Sequence, residues 1–163
     1  MFIFVLLFQC KTTQLESFKN SVRKSTSINF LNPQEFNRSR ELMLNTFSVD
    51  VMENDSVIIM EYFPDGLQNY YCTIYESKDK IVRRYRANVS IKKGAIYVDS
   101  LSTSNVKDEI LPMIIDGKLD EVKKRGEKTT LTPASTLIIN ILTKDEDKAD
   151  FKIKTVRTRN FLP

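Results

Sequence analysis

Three turn signals, Pro64-Asp65-Gly66, the stretch Glu76–Lys80 and Lys93-Gly94, cut residues 56–101 into four short segments rich in β-branched and aromatic residues. That punctuation leaves little room for anything but an antiparallel meander, because each segment is short and each connection is tight. The predicted strands are Ser56–Phe63, Leu67–Glu76, Ile81–Ile91 and Ala95–Leu101. In the second, Tyr70, Cys72 and Ile74 share one face. In the third, Tyr85, Ala87, Val89 and Ile91 face one way, and Arg84, Arg86, Asn88, Ser90 and Lys92 the other. One side of the sheet is therefore apolar and the other solvated, at least along the third strand.

Helical signals flank the meander. Asn32-Pro33-Gln34-Glu35 is a helix start: Asn32 caps, Pro33 suits the first turn and Glu35 completes a capping box. Phe36, Arg40, Met43 and Phe47 then fall on one face of a helix predicted over 33–46. After the meander, Asn105 precedes an apolar period broken at Pro112 and Asp116-Gly117. Two short helices are expected near 106–115 and 118–125, with Gly126 as a stop. Thr136–Thr143 is a short apolar run, predicted as a buried strand. Lys144–Asp150 is a polar loop, and Phe151–Phe161 a last strand. Its alternation slips near Thr155-Val156, which predicts a bulge.

These elements predict a single α+β domain over 32–163. A largely antiparallel sheet of about six strands, the meander plus two C-terminal strands, carries an N-terminal helix and a helical insertion packed on one face. Residues 10–31 read as a polar tether with at most a short helix, since only Leu15, Phe18 and Val22 recur at helical spacing.

Composition excludes much chemistry. The chain of 163 residues has no His and two Cys. A Ser-His-Asp or Cys-His pair, a His-bearing zinc site and an intrachain four-cysteine metal site are all ruled out. Gly is 4 of 163, and neither a GxGxxG nor a P-loop sequence occurs. No cofactor is expected.

Charge is uneven. Residues 1–81 carry a net −2 and residues 82–163 a net +6. Two acid-free runs hold much of the excess: Arg83, Arg84, Arg86, Lys92 and Lys93, and then Lys152, Lys154, Arg157 and Arg159. If both strands present the same face, these nine side chains make an anion-binding patch. A solvated sheet face guarded against edge pairing is the plainer account. Nucleic acid is not expected as a partner, because the phases of Tyr85 and Tyr97 turn them toward the core rather than out as stacking platforms. Asp116, Asp120 and Glu121 are close in sequence, but ordinary balance against Lys118, Lys123, Lys124 and Arg125 explains them better than a catalytic carboxylate pair. Asp145–Asp150 lacks the glycine and terminal glutamate of a calcium loop.

The N-terminus suggests an address. Phe2–Phe8 is an uninterrupted apolar run, too short to span a bilayer but suited to the core of a secretory signal. It ends in Leu7-Phe8-Gln9-Cys10, which resembles the lipobox of bacterial lipoproteins. The resemblance covers ten residues and implies cleavage before Cys10, with Leu7 as the recognised aliphatic residue and Cys10 as the lipidated one. Residues 1–9 would be the signal segment, and Cys72, predicted to be a core residue, the remaining thiol.

The expectation is an envelope lipoprotein, periplasmic or surface-facing. It would be membrane-anchored through Cys10 and act without catalysis as a binding or assembly module for a protein or an anionic envelope ligand. A glycan hydrolase using carboxylates alone and a cytosolic polyanion-binding domain are the alternatives.

Overall fold

Strand β1 (Ser56–Phe63) lies at the middle of a six-stranded antiparallel sheet. The computed structural model describes residues 15–24, 33–46, 53–63, 69–88, 95–99, 110–127, 136–145 and 150–159. The other strands are β2 (Asn69–Glu76), β3 (Ile81–Asn88), β4 (Ala95–Asp99), β5 (Thr136–Asp145) and β6 (Asp150–Arg159). Their order is β4-β3-β2-β1-β5-β6. The meander is thus intact, and the C-terminal hairpin adds to its first strand. β1 and β5 pair from Ser56↔Thr143 to Phe63↔Thr136. This buries β1 from both sides, which is why Val57 through Tyr62 are all inside.

Among the described residues four helices cover the sheet: α1 (residues 15–24), α2 (Pro33–Thr46), α3 (Ile110–Ile115) and α4 (Leu119–Glu127). They do not share a face. Phe18 and Val22 of α1, and Phe36, Met43 and Leu44 of α2, pack with Val57, Ile59, Ile74 and Ile138. Ile110, Ile114, Leu119 and Val122 of α3 and α4 pack with Ile58, Met60, Leu137 and Ile139 on the opposite side. The expectation of helices on one face is corrected here, and the reason lies in β1 and β5. Both are apolar in both phases. A single helical layer would leave Ile58, Met60, Leu137 and Ile139 in water, forfeiting roughly 6–12 kcal/mol of burial. That is as large as the whole stability of a typical domain.

The same two-sided cover explains the pattern of β6. No bulge occurs: β5 and β6 stay in one register from Thr136↔Arg159 to Asp145↔Asp150. Phe151 and Ile153 lean on the α1–α2 side, and Val156 on the α3–α4 side. The apolar phase switches because the covering layer switches, not because the backbone slips.

α1 belongs to the packed domain. Phe18 and Val22 are fully buried, and Phe18 meets Phe151 edge-on, ring centroids 5.9 Å apart. Arg23 donates from Nε and Nη2 to Glu41 of α2 at 2.8 and 2.9 Å. The part of the expected tether that is described is therefore a core helix.

α3 ends in a glycine-capped turn. Gly117 has φ 76°, Gly117 N–H donates to Ile114 at 3.0 Å, and Lys118 N–H donates to Met113 at 2.8 Å. This 5→2 and 6→1 pair is the Schellman arrangement, and it needs a left-handed residue at Gly117. Pro112 stays inside α3 because the first turn asks for no N–H donor. Its carbonyl accepts from Asp116 N–H at 2.9 Å.

Candidate functional site

A strand reading SVIIMEYF places its single acid, Glu61, in phase with Val57 and Ile59, on the face toward α2. A helix with Phe36 and Met43 turned inward brings Arg40 down on the same side. The two charges meet in the core. Arg40 is 2% exposed and Glu61 0%.

The register supplies the rest. On β1, Glu61 lies opposite Cys72 of β2 and Ile138 of β5. Its diagonal neighbours are Tyr70 on β2 and Asn140 on β5, and Thr155 of β6 lies opposite Asn140. Glu61 Oε1 accepts from Arg40 Nε at 2.7 Å and from Tyr70 OH at 2.7 Å. Glu61 Oε2 accepts from Arg40 Nη2 and from Asn140 Nδ2 at 3.0 Å. Asn140 Oδ1 in turn accepts from Thr155 Oγ1 at 2.9 Å. Phe36 closes the top: its ring lies 4.7 Å from the Arg40 guanidinium carbon and meets Tyr70 edge-on at 5.7 Å.

Four donors fill the acceptor sites of one carboxylate. Burial pulls the Arg40 guanidinium down, and the adjacent Glu61 charge and its hydrogen bonds more than offset this, so Arg40 sits above its ordinary value. Tyr70 is pushed well above the ordinary tyrosine value, first by burial and then by Cys72 and Glu61. A group that is to exchange protons with a substrate must reach it. Glu61 is enclosed and fully bonded, so the cluster acts as a clamp. It ties α2, β1, β2, β5 and β6 together at one point.

The Tyr70 hydroxyl gives the clamp a pH signature. The unfolded chain releases this proton near pH 10 and the folded state holds it. Its contribution is complete below about pH 10 and declines as pH rises further. Tyr70→Phe is expected to lower stability at pH 7 by about 1–3 kcal/mol, since Glu61 loses a donor. The same change should flatten the fall of stability between neutral and strongly alkaline pH, followed by urea unfolding at several pH values. An alkaline limb as steep as that of the wild type would reject the assignment.

The described residues among those expected to bind anions lie on two strands, β3 and β6. β3 and β6 are separated by β2, β1 and β5, or about 19 Å at four strand spacings. Arg84 and Arg86 of β3 share the α3–α4 face with Lys152 and Lys154 of β6, whereas Arg83 and Arg157 fall on the other. Arg83 Nε donates to Glu76 at 2.7 Å, which raises Arg83, and Lys152 lies 3.1 Å from Asp145. Arg159 pairs with Thr136 at the end of the hairpin. Lys92, Lys93 and Cys10 lie outside the described residues, as does the signal segment. The described members therefore form two separate basic strands, not one patch.

The acids behave as surface residues: Asp116, Asp120 and Glu121 are exposed on the α3–α4 hairpin. Among the described residues no group of three or more His, Cys, Asp or Glu could hold a metal ion. Cys72 is buried, as expected of a core residue. Also among the described residues, no helix is long and apolar enough to cross a membrane. No family model, curated protein or solved structure matches this chain.

Neither Arg40 nor Glu61 is among the site residues that the sequence suggests. A usable signal existed: two opposite charges, each in phase with the apolar face of its own element.

Proposed function

We propose that this chain is an envelope lipoprotein that acts without catalysis, as a binding or assembly module held at the membrane by a lipid on Cys10. The observation that carries the non-catalytic reading is the state of Glu61. The best-built polar cluster among the described residues is sealed in the core and saturated, and it holds secondary-structure elements together. The exposed acids of α3 and α4 sit on a helical hairpin among lysines, which favours a solvated surface over a cleft for glycan hydrolysis. The wide separation of β3 and β6 speaks against a single polyanion groove.

The anchor carries the membrane part of the reading. A single acyl chain holds a protein only marginally, and two or more hold it firmly. Expressing the full sequence in a bacterium and fractionating cells tests it. The wild-type chain is expected in the membrane fraction, acylated and shortened before Cys10, and Cys10→Ala is expected to move it to the soluble fraction. An intact, soluble chain that still begins at Met1 would overturn the anchor. Release of sugars from envelope glycans by the purified chain would overturn the non-catalytic part.

A further inference from the structure

β6 closes one end of the sheet, and among the described residues no strand pairs with its outer edge. An open edge offers a row of unpaired N–H and C=O groups to any passing strand. Folded proteins usually blunt such an edge by keeping it short, or with a bulge or a proline. β4, at the opposite end, is five residues long. β6 is ten residues long, free of proline and in unbroken register with β5. It has none of these; α4 packs on one of its faces, and the remaining protection is charge.

After Asp150 at its start, the strand's charge is of one sign. From Phe151 to Arg159 the strand holds Lys152, Lys154, Arg157 and Arg159 and no acid. Lys152 and Lys154 are two residues apart, so they project from the same face. β5 sets Thr143 and Ile141 opposite them, neither of which is charged. Lys152 is 71% exposed and reaches diagonally to Asp145 at 3.1 Å. Lys154 is exposed and has no acidic partner among the described residues.

These lysines discriminate between occupants. A second copy pairing antiparallel through β6 would bring cationic strands together, and like charges across a ladder are destabilising. An incoming strand with carboxylates at alternate positions meets the opposite situation, because each acid falls beside a lysine on one face. Repulsion of wrong strands and attraction of the right one come from the same two side chains.

We propose that the outer edge of β6 accepts an extended acidic segment of a partner protein as a seventh strand. Its main chain completes the ladder, and carboxylates two residues apart pair with Lys152 and Lys154. This rests on the reading of the chain as a binding module and names the partner's chemistry.

The test uses the isotopically labelled chain and three synthetic peptides matched to β6 in length. One carries glutamates at alternate positions between threonines and valines, one has lysines in their place, and one is the acidic peptide with prolines at the valines. The acidic peptide alone is expected to bind and to slow amide exchange along β6, with an affinity that falls as salt rises. Lys152→Glu combined with Lys154→Glu should weaken it by about tenfold or more and favour the lysine peptide. Both side chains are exposed, and an unchanged circular dichroism spectrum shows that the variant folds. Binding without slowed exchange at β6, equal binding of the proline peptide, or inorganic polyphosphate as an equal competitor would each overturn the proposal. So would self-association of the free chain through β6. Failure here with Cys10 still acylated removes the strand acceptor and leaves the anchored module standing. Loss of acylation with β6 still protected does the reverse.

Discussion

Glu61→Leu is expected to be among the most damaging single substitutions in this domain, costing about 3–5 kcal/mol or more. It leaves the Arg40 guanidinium buried without its counter-charge, and it strips an acceptor from Tyr70 and from Asn140. Arg40→Met is expected to cost a similar 3–5 kcal/mol, because Glu61 is then an uncompensated buried carboxylate. The double variant Arg40→Met, Glu61→Leu should be more stable than the sum of the two predicts, because no charge is left in the core. It will not return to wild type. Tyr70 OH and Asn140 Nδ2 still lack a partner, at about 1–3 kcal/mol for each unsatisfied group. Adding Tyr70→Phe should recover part of that. Urea unfolding of the four members of the cycle gives the coupling directly. Coupling of about 2 kcal/mol or more is expected, and additivity within about 0.5 kcal/mol would mean that the clamp contributes no pairwise interaction.

The cycle also bears on why a folded chain keeps an ion pair where apolar residues would serve. Desolvation makes such a pair a weak source of net stability, and its best-attested use is to fix register. Sliding β1 by one residue against β2 and β5 would turn Glu61 to the α3–α4 face, away from Arg40, Tyr70 and Asn140 together. β1 and β5 are apolar in both phases, so hydrophobicity alone discriminates poorly between the two registers. The charge supplies the discrimination that the apolar pattern lacks.

That same double-sided apolar character limited what the sequence could show. The meander was legible because Pro64-Asp65-Gly66 and Glu76–Lys80 separate segments of clear β character, and the Pro33–Thr46 helix because its start and its period agree. Most of the strand Thr136–Asp145 was legible as the buried run Thr136–Thr143, since five apolar residues, Leu137–Ile139 and Ile141–Leu142, are interrupted only by Asn140. Placing the helices was harder. The signs of two covering layers lay in β1, β5 and the phase change in β6, and a phase change has two physical causes, a bulge or a switch of cover. Only the register distinguishes them. The clamp was half visible. Arg40 falls in the apolar period of its helix, but a lone arginine there reads as a snorkelling side chain until its partner is known. Glu61 lies 21 residues further on, across a segment that carries no pairing signal.

The second large effect is expected at Phe18, in the stretch whose polarity suggested a tether. Phe18 has no exposed surface, and it packs edge-on against Phe151 with Val22 of its own helix alongside. A residue in a solvated tether tolerates truncation within about 0.5 kcal/mol. A buried phenylalanine cut to alanine costs about 3–5 kcal/mol, from lost transfer energy and the cavity left behind. Phe18→Ala therefore separates the two accounts by several kcal/mol. Arg23→Ala is the matched control: its contact with Glu41 is between half-exposed groups, and such pairs contribute about 1 kcal/mol or less. The expected order in urea unfolding is Phe18→Ala far below Arg23→Ala, with the latter close to wild type. If Phe18→Ala were also close to wild type, α1 would be a dispensable appendage. A large loss has a consequence for the proposed anchor. Four residues, 11–14, stand between Cys10 and the described part of α1, and four residues reach at most roughly 14 Å. A lipid on Cys10 would then hold the folded domain against the bilayer surface, with the start of α1 facing it, rather than let it range on a long leash.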